Sequence, residues 1–511
     1  MRLKRKTKII LWVIGSLLLV VFLWFEPWAW MLGQPRILFS RETTYLTEPV
    51  RADGTIDYAA ALNAKYGAGV TPENNAAVPL YEATPYKTSD EHKKFFDALG
   101  IPPPTDERFA YRDIEIVCPF PKVEGVFQND EETEHRRRLF RMEIDAENRP
   151  WSAEEFPEIE KWLQANREYI AKLEEASRRT RFYLPIVSKD EHELLLGSVS
   201  SGSYPHPTDF IPPLVMKNIH DGKIEDAIEN IRTLNRLADL QAQGLGTHLQ
   251  LISNGWRERA YELAAAVAFY APLDAQQRKT LAMMVSVPFV SNHVSQMNEV
   301  ERYIWLDAAA ALSVGRNETT PRSKAQQLWF DATVDWNASL EFCNRQCDEA
   351  IAAYSIADFR ARKDAIAKLT KFESAEKTFK WGNKLWFVFA GRKGRGINWG
   401  ETASGYFTPN DAINEMTNRK TIKQRLAILS LAISAFHAEQ NTFPEKLSEL
   451  APKYLAEIPK DLYGGGDFKY ERRENGYRLY SIGPNEKDEG GKYVYEHEDD
   501  ILLELPRPLS E

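Results

Sequence analysis

What most constrains this chain is its opening. Arg2, Lys4, Arg5, Lys6 and Lys8 precede an uncharged run from Ile9 to Phe25, broken only by Gly15 and Ser16. At about 1.5 Å per residue the run spans roughly 25 Å, against a hydrocarbon core of about 30 Å. Trp28 and Trp30 follow where tryptophan favours the lipid–water interface. The exit, Phe25-Glu26-Pro27-Trp28-Ala29-Trp30, has no A-x-A-like pair of small residues, so the run reads as an uncleaved anchor rather than a cleaved signal peptide. The basic flank predicts an N-terminus held in the cytoplasm and everything beyond Glu26 outside it. A cytoplasmic stub over 1–8, a transmembrane helix over 9–25 and a large extracytoplasmic body follow as expectations.

Composition narrows what the body is. Of 511 residues, 43% are hydrophobic and 27% charged, which excludes a disordered, collagen-like or polytopic membrane chain. Lys+Arg 65 against Asp+Glu 74 gives a net charge of −9, so the basic face that nucleic acid requires is not expected. Three cysteines do not make a disulfide scaffold.

The fold class expected is mainly α, with three regions after the anchor. Residues 36–200 form a mixed, mostly helical region, 205–390 an irregular helical bundle, and 421–502 a small α+β domain. In the first region Thr71-Pro72 reads as a helix start carrying Asn74-Asn75 in its first turn, and Trp162, Leu163, Tyr169, Ile170 and Leu173 share one face of a single amphipathic helix. Asp221-Gly222 and Gly244-Leu245-Gly246 separate helices of the bundle. Trp381 to Tyr406, aromatic, basic and rich in glycine, reads as a solvated or membrane-facing loop. In the last region the helix from Thr421 to Glu439 precedes two alternating runs around Glu474-Asn475-Gly476, a strand–turn–strand signal.

Local catalytic motifs are missing: the chain has no H-E-x-x-H, G-x-S-x-G, C-x-x-C or G-x-G-x-x-G. Its nine histidines are scattered, and His206, His248 and His293 read as structural. Cys343 and Cys347, four apart on a helix, read as packed thiols, because regular helix geometry aims them poorly for a bond. One oxygen-rich stretch stands out: Asp488, Glu489, Glu496, Glu498, Asp499 and Asp500 crowd around Gly490-Gly491. Such loops in extracytoplasmic domains often take calcium, and a solvated acidic turn is the alternative reading. Lys487 opposes an EF-hand register and supplies a neutralising ammonium.

Two resemblances rest on residues now in view. Asn74 to Val78, Arg149-Pro150-Trp151, Glu175 to Arg178 and Glu301-Arg302-Tyr303-Ile304-Trp305-Leu306-Asp307 resemble landmarks of an uncharacterised, membrane-anchored family of planctomycete proteins. Thr421 to Leu502 resembles the periplasmic domain of the major pseudopilin of type II secretion, through Phe443-Pro444, Tyr454-Leu455, Ile458-Pro459-Lys460-Asp461 and Tyr477 to Gly483. That resemblance implies calcium in the last loop, with Asp488, Asp499 and Asp500 as ligands. No prepilin G-F-T-L-x-E precedes the apolar run, so a domain shape is implied and fibre assembly is not. The function expected is that of an inner-membrane-anchored envelope protein that binds an unknown protein partner or supports structure. The alternative is an extracytoplasmic hydrolase whose site is assembled from distant residues.

Overall fold

The computed structural model describes residues 12–16, 36–84, 90–105, 109–120, 130–188, 193–198, 206–287, 294, 297–316, 322–376, 391–404, 411–494 and 498–508. Most of the expected anchor lies outside these residues; 12–16 are helical and exposed. Among the described residues no helix is long and apolar enough to cross a membrane. The chain is mainly helical, with a small antiparallel sheet near the C-terminus. It divides into two compact units: 1–68, 185–200 and 293–411 form the first, and 69–184, 201–292 and 412–511 the second. The stretch 205–390, read as one bundle, is thus shared between units, and so is 36–200. Residues 421–502 belong to the second unit together with helices from 69–292.

The first unit is built around the Arg302–Val314 helix, every residue of which from Arg302 to Ser313 is buried. A helix covered on all sides is the centre of its unit. Two of its covers are the helices Trp336–Tyr354 and Arg392–Ser404. The latter corrects the expected loop at 381–406: residues 392–404 are helical, whereas 381–390 and 405–406 lie outside the described residues. Its glycines are there for approach, not for turning. A Cβ on Gly396 would overlap the Asp335 carbonyl oxygen, and one on Gly400 would lie 2.7 Å from that of Ser339. Positions 396/400 and 335/339 are each four apart, so two helix backbones run against each other along a side-chain-free stripe. Beside it Arg395, 1% exposed, donates from Nε to the Thr333 carbonyl at 2.5 Å.

In the second unit, Thr71 to Ala76 is a turn rather than a helical first turn, and the helix begins at Ala77. Asn75 is fully buried because its amide copies a strand partner. It donates to the Tyr183 carbonyl at 2.9 Å and accepts from the Tyr183 and Ala77 N–H groups. The helix expected through Trp162 and Leu173 is two, Pro157–Ala165 and Arg167–Ser177, interrupted at Asn166. The buried Asn166 side chain donates to the Arg112 carbonyl and accepts from its N–H, a tertiary contact made at the junction of the two helices. The C-terminal helix is longer than expected, Asp411–Gln440, and meets the Thr247–Tyr270 helix through a charge ladder. Arg419 pairs with Glu258 at 3.2 Å and Lys423 with Glu262 at 2.7 Å, four residues apart on both helices. Strands β1 (Lys469–Arg473), β2 (Gly476–Ser481) and β5 (Ile501–Leu505) form the sheet in that order, antiparallel throughout, and β3 (Tyr493–Val494) pairs with β4 (Glu498–Asp499). Arg473 faces Gly476, so the hairpin turns on Glu474 and Asn475.

The glycine stripe makes a direct prediction. Gly396→Ala costs about 1–3 kcal/mol by overpacking, whereas Gly391→Ala, with nothing near its added Cβ, stays within about 0.5 kcal/mol of wild type. Denaturant unfolding of the two full-length variants in detergent, followed by circular dichroism, checks this; equal stabilities refute it.

Candidate functional site

A broad concavity opens in the first unit, and a buried carboxylate organises it. Asp307 is fully buried on the Arg302–Val314 helix. One oxygen accepts from Arg51 Nη1 at 3.0 Å and from Arg316; the other accepts from the Leu195 backbone N–H at 2.8 Å. Burial of that charge is tolerable because its partners are themselves charged or well-aimed donors. Arg316 reaches it because the helix ends at Gly315, left-handed at φ +68°. Its Nη1 also donates to Thr55 Oγ1 at 3.1 Å. Asp53 lies at the same turn. Burial opposes its ionisation, but hydrogen bonds from Thr55 and the charges of Arg316 and Arg51 prevail and hold the carboxyl below its ordinary value.

Above this base opens a cleft of about 1090 Å³. Arg36, Arg51, Arg316, Arg322 and Lys324 line it, against Asp53, Asp57 and Glu193. The cations are not equivalent. Arg51 and Arg316 are committed to Asp307, and Arg36 is gripped by both oxygens of Asp331 at 3.0 Å. Arg322 lies over the Phe330 ring at 4.1 Å. Lys324 is exposed, and among the described residues no carboxylate pairs with it. It opens the Lys324–Thr333 helix, whose N-cap is Ser323. A cation in a first turn opposes the helix dipole, so this lysine does not serve the helix. Lys324, at the start of this helix, gives the cleft one rim suited to negative charge.

The second unit holds a different electrostatic feature. Glu143 and Glu147 on the Asp130–Asn148 helix share a region with Asp113 and Asp209. Burial, then repulsion from Glu147, Asp113 and Asp209, pushes Glu143 up to about 7. Burial and Glu147 push Asp209 up to about 6. His206 is a structural partner of Trp256, whose Nε1 donates to its Nδ1 at 3.3 Å; His293 lies outside the described residues. The three cysteines are unbonded and buried.

Of the expected ligands Asp488, Asp499 and Asp500, the structure describes the side chains of Asp488 and Asp500. Asp488 pairs with Lys469 Nζ at 2.9 Å and accepts from Tyr480 OH at 3.0 Å and Gly490 N–H at 3.1 Å. The ammonium beside it is therefore that of Lys469, not Lys487. The Asp499 side chain and residues 495–497 lie outside the described residues. Asp500 is 1% exposed; one oxygen accepts from the Gly491 and Glu489 N–H groups at 2.7 and 3.1 Å. Its other oxygen and Oε2 of Glu489 are buried and, among the described residues, receive no donor. Burial, then the facing Glu489, pushes Asp500 up to about 6. Among the described residues no group of three acidic, histidine or cysteine side chains converges as a metal centre. Glu489, which matters here, was legible only as one more acid in a crowd.

Comparison of the chain with protein-family models, curated proteins and solved structures found no match.

The acidic region of the second unit predicts a pH signature. Because Glu143 is raised from 4.5 to about 7, the stability tied to its protonated form is complete below about pH 4.5 and is lost as pH rises through 7. Glu143→Gln then melts like wild type at pH 4 and at a higher temperature than wild type at pH 8. A melting difference independent of pH refutes the raised carboxyl.

Proposed function

We propose that this is an inner-membrane-anchored, extracytoplasmic binding protein whose cleft in the first unit takes an acidic ligand. The carrying observation is the exposed Lys324 at the start of the Lys324–Thr333 helix, standing over a base whose own arginines are already paired with Asp307, Asp57 and Asp53. The volume of about 1090 Å³ suits a ligand of several residues or sugar units rather than a single small ion. The anchor reading rests on the basic flank and the apolar run at 9–25. A hydrolase is the less supported reading: the raised carboxyls, Glu143 and Asp209, belong to the second unit, and in the cleft Asp53 is lowered.

Binding of a fluorescein-labelled hexaglutamate peptide to the full chain in detergent tests the proposal. Saturable binding that weakens with salt is expected, and Lys324→Glu lowers affinity about tenfold, or 1.4 kcal/mol. A labelled hexalysine peptide should not compete. Equal affinities for wild type and variant, or no binding at low salt, overturn the reading.

For the C-terminal loop we propose calcium, held by Asp500 and Glu489 rather than by Asp488. What supports it is the pair of buried oxygens without donors, a place for one cation between two carboxylates. At a hundredfold excess over Kd, calcium stabilises the folded state by about 2.7 kcal/mol. The full chain should melt higher in calcium than in chelator, and Asp500→Asn should abolish the difference while Asp488→Asn keeps it. Identical melting in calcium and chelator leaves a shared proton in place of the metal.

A further inference from the structure

We propose that an apolar edge of the first unit, formed by Leu38, Phe39, Leu328 and Trp329, rests in the headgroup region of the membrane that holds the anchor. The proposal rests on the anchor reading above. These four side chains are 47%, 36%, 48% and 50% exposed, a concentration of apolar surface that scattered surface leucines do not explain.

Hydrogen bonds bring the two segments that carry them into one neighbourhood. Arg36 is locked on Asp331 through both carboxylate oxygens, and the Leu38 N–H donates to Asn337 Oδ1 at 2.8 Å. Leu328 is three residues before Asp331 on the Lys324–Thr333 helix, so both lie on one helical face. The segment carrying Leu38 and Phe39 therefore starts at Asp331, near the end of the helix that carries Leu328 and Trp329, and runs to Asn337 at the start of the next helix.

Chain length then brings this edge to the bilayer. Ten residues, 26–35, separate the end of the apolar run from Arg36, a reach of at most about 35 Å fully extended. They include Trp28, Trp30, Met31 and Leu32, which favour lying at the interface over extending through water. The edge that begins two residues after this tether is thus held close to the lipid surface.

Charge fits the same occupant. Arg392 donates to the Asp331 carbonyl at 3.0 Å, and Lys393, next to it in the chain, is exposed. Cations flanking an exposed tryptophan and leucine match anionic headgroups over an acyl boundary.

Nitroxide labels on single cysteines decide it. The three native cysteines are buried, so Trp329→Cys, Glu349→Cys and Val20→Cys label selectively. The full chain is reconstituted in vesicles of phosphatidylcholine and phosphatidylglycerol, and each label is probed with lipid-soluble oxygen and a water-soluble nickel complex. Position 349 lies about 18 Å farther along the helix that begins beside Leu38. The expected result is a label at 329 about 5–10 Å into the headgroup–acyl boundary, a label at 349 in water and a label at 20 deep in the bilayer. A label at 329 as water-exposed as that at 349, with 20 still deep, overturns the membrane contact and leaves the anchor standing. A label at 329 shielded from both probes assigns the edge to a protein contact and also overturns it. A label at 20 in water removes the anchor reading, and this proposal with it.

Discussion

The first unit depends on one buried carboxylate. Asp307 draws together three segments that are remote in sequence, through Arg51, Arg316 and the Leu195 N–H. Removing one member would leave an uncompensated charge in the interior, at a cost of several kcal/mol. The same contacts determine where the cleft lies, because they hold two of its lining arginines at the base and leave the rim to others. Arg302, one and a half turns earlier on the same helix, does for residues 42–43 what Asp307 does for residue 51. It bonds Asn344, whose amide in turn donates to the Thr43 and Glu42 carbonyls.

The second unit uses charge in a repeating form. Glu258 and Glu262 match Arg419 and Lys423 at equal spacing, so the long C-terminal helix is set in register along its partner. Glu262 also receives Arg259 and Arg507, and these cations overcome its burial to hold its carboxyl well below the ordinary range. Glu258, served by Arg419 and more distantly by Lys423, is dominated by burial and rises to about 7. Two acids one turn apart thus differ because of how many cations reach each of them. The chain from Thr421 onward is joined to the preceding helices by ionic contacts as well as by apolar packing.

Much of the secondary structure was legible because it is local. The breaks at Asp221-Gly222 and Gly244-Leu245-Gly246, and the hairpin near Asn475, follow from conformational preferences that act over a few residues. The departures share a cause. Asn75, Asn166 and the glycines of 392–404 look like turn formers in isolation, yet each answers to a partner elsewhere in the chain: Tyr183, Arg112 and the 335–339 backbone. The carboxylate loop was visible as a density of acids. Which oxygens are left bare was not, since Lys469 and Tyr480 engage Asp488 across the sheet.

The sequence by itself determined the mainly helical class, the small C-terminal antiparallel sheet and the apolar run behind a basic flank, because periodicity, turn chemistry and charge asymmetry are properties of neighbouring residues. The Glu301-to-Asp307 stretch even showed an arginine and an aspartate in an otherwise apolar helix. What these charges meet, how the chain divides between two units, and which cations line the cleft were decided by tertiary structure alone. A charge's effect depends on the distance to its partner and on the water excluded around it, and neither is written in the order of the residues.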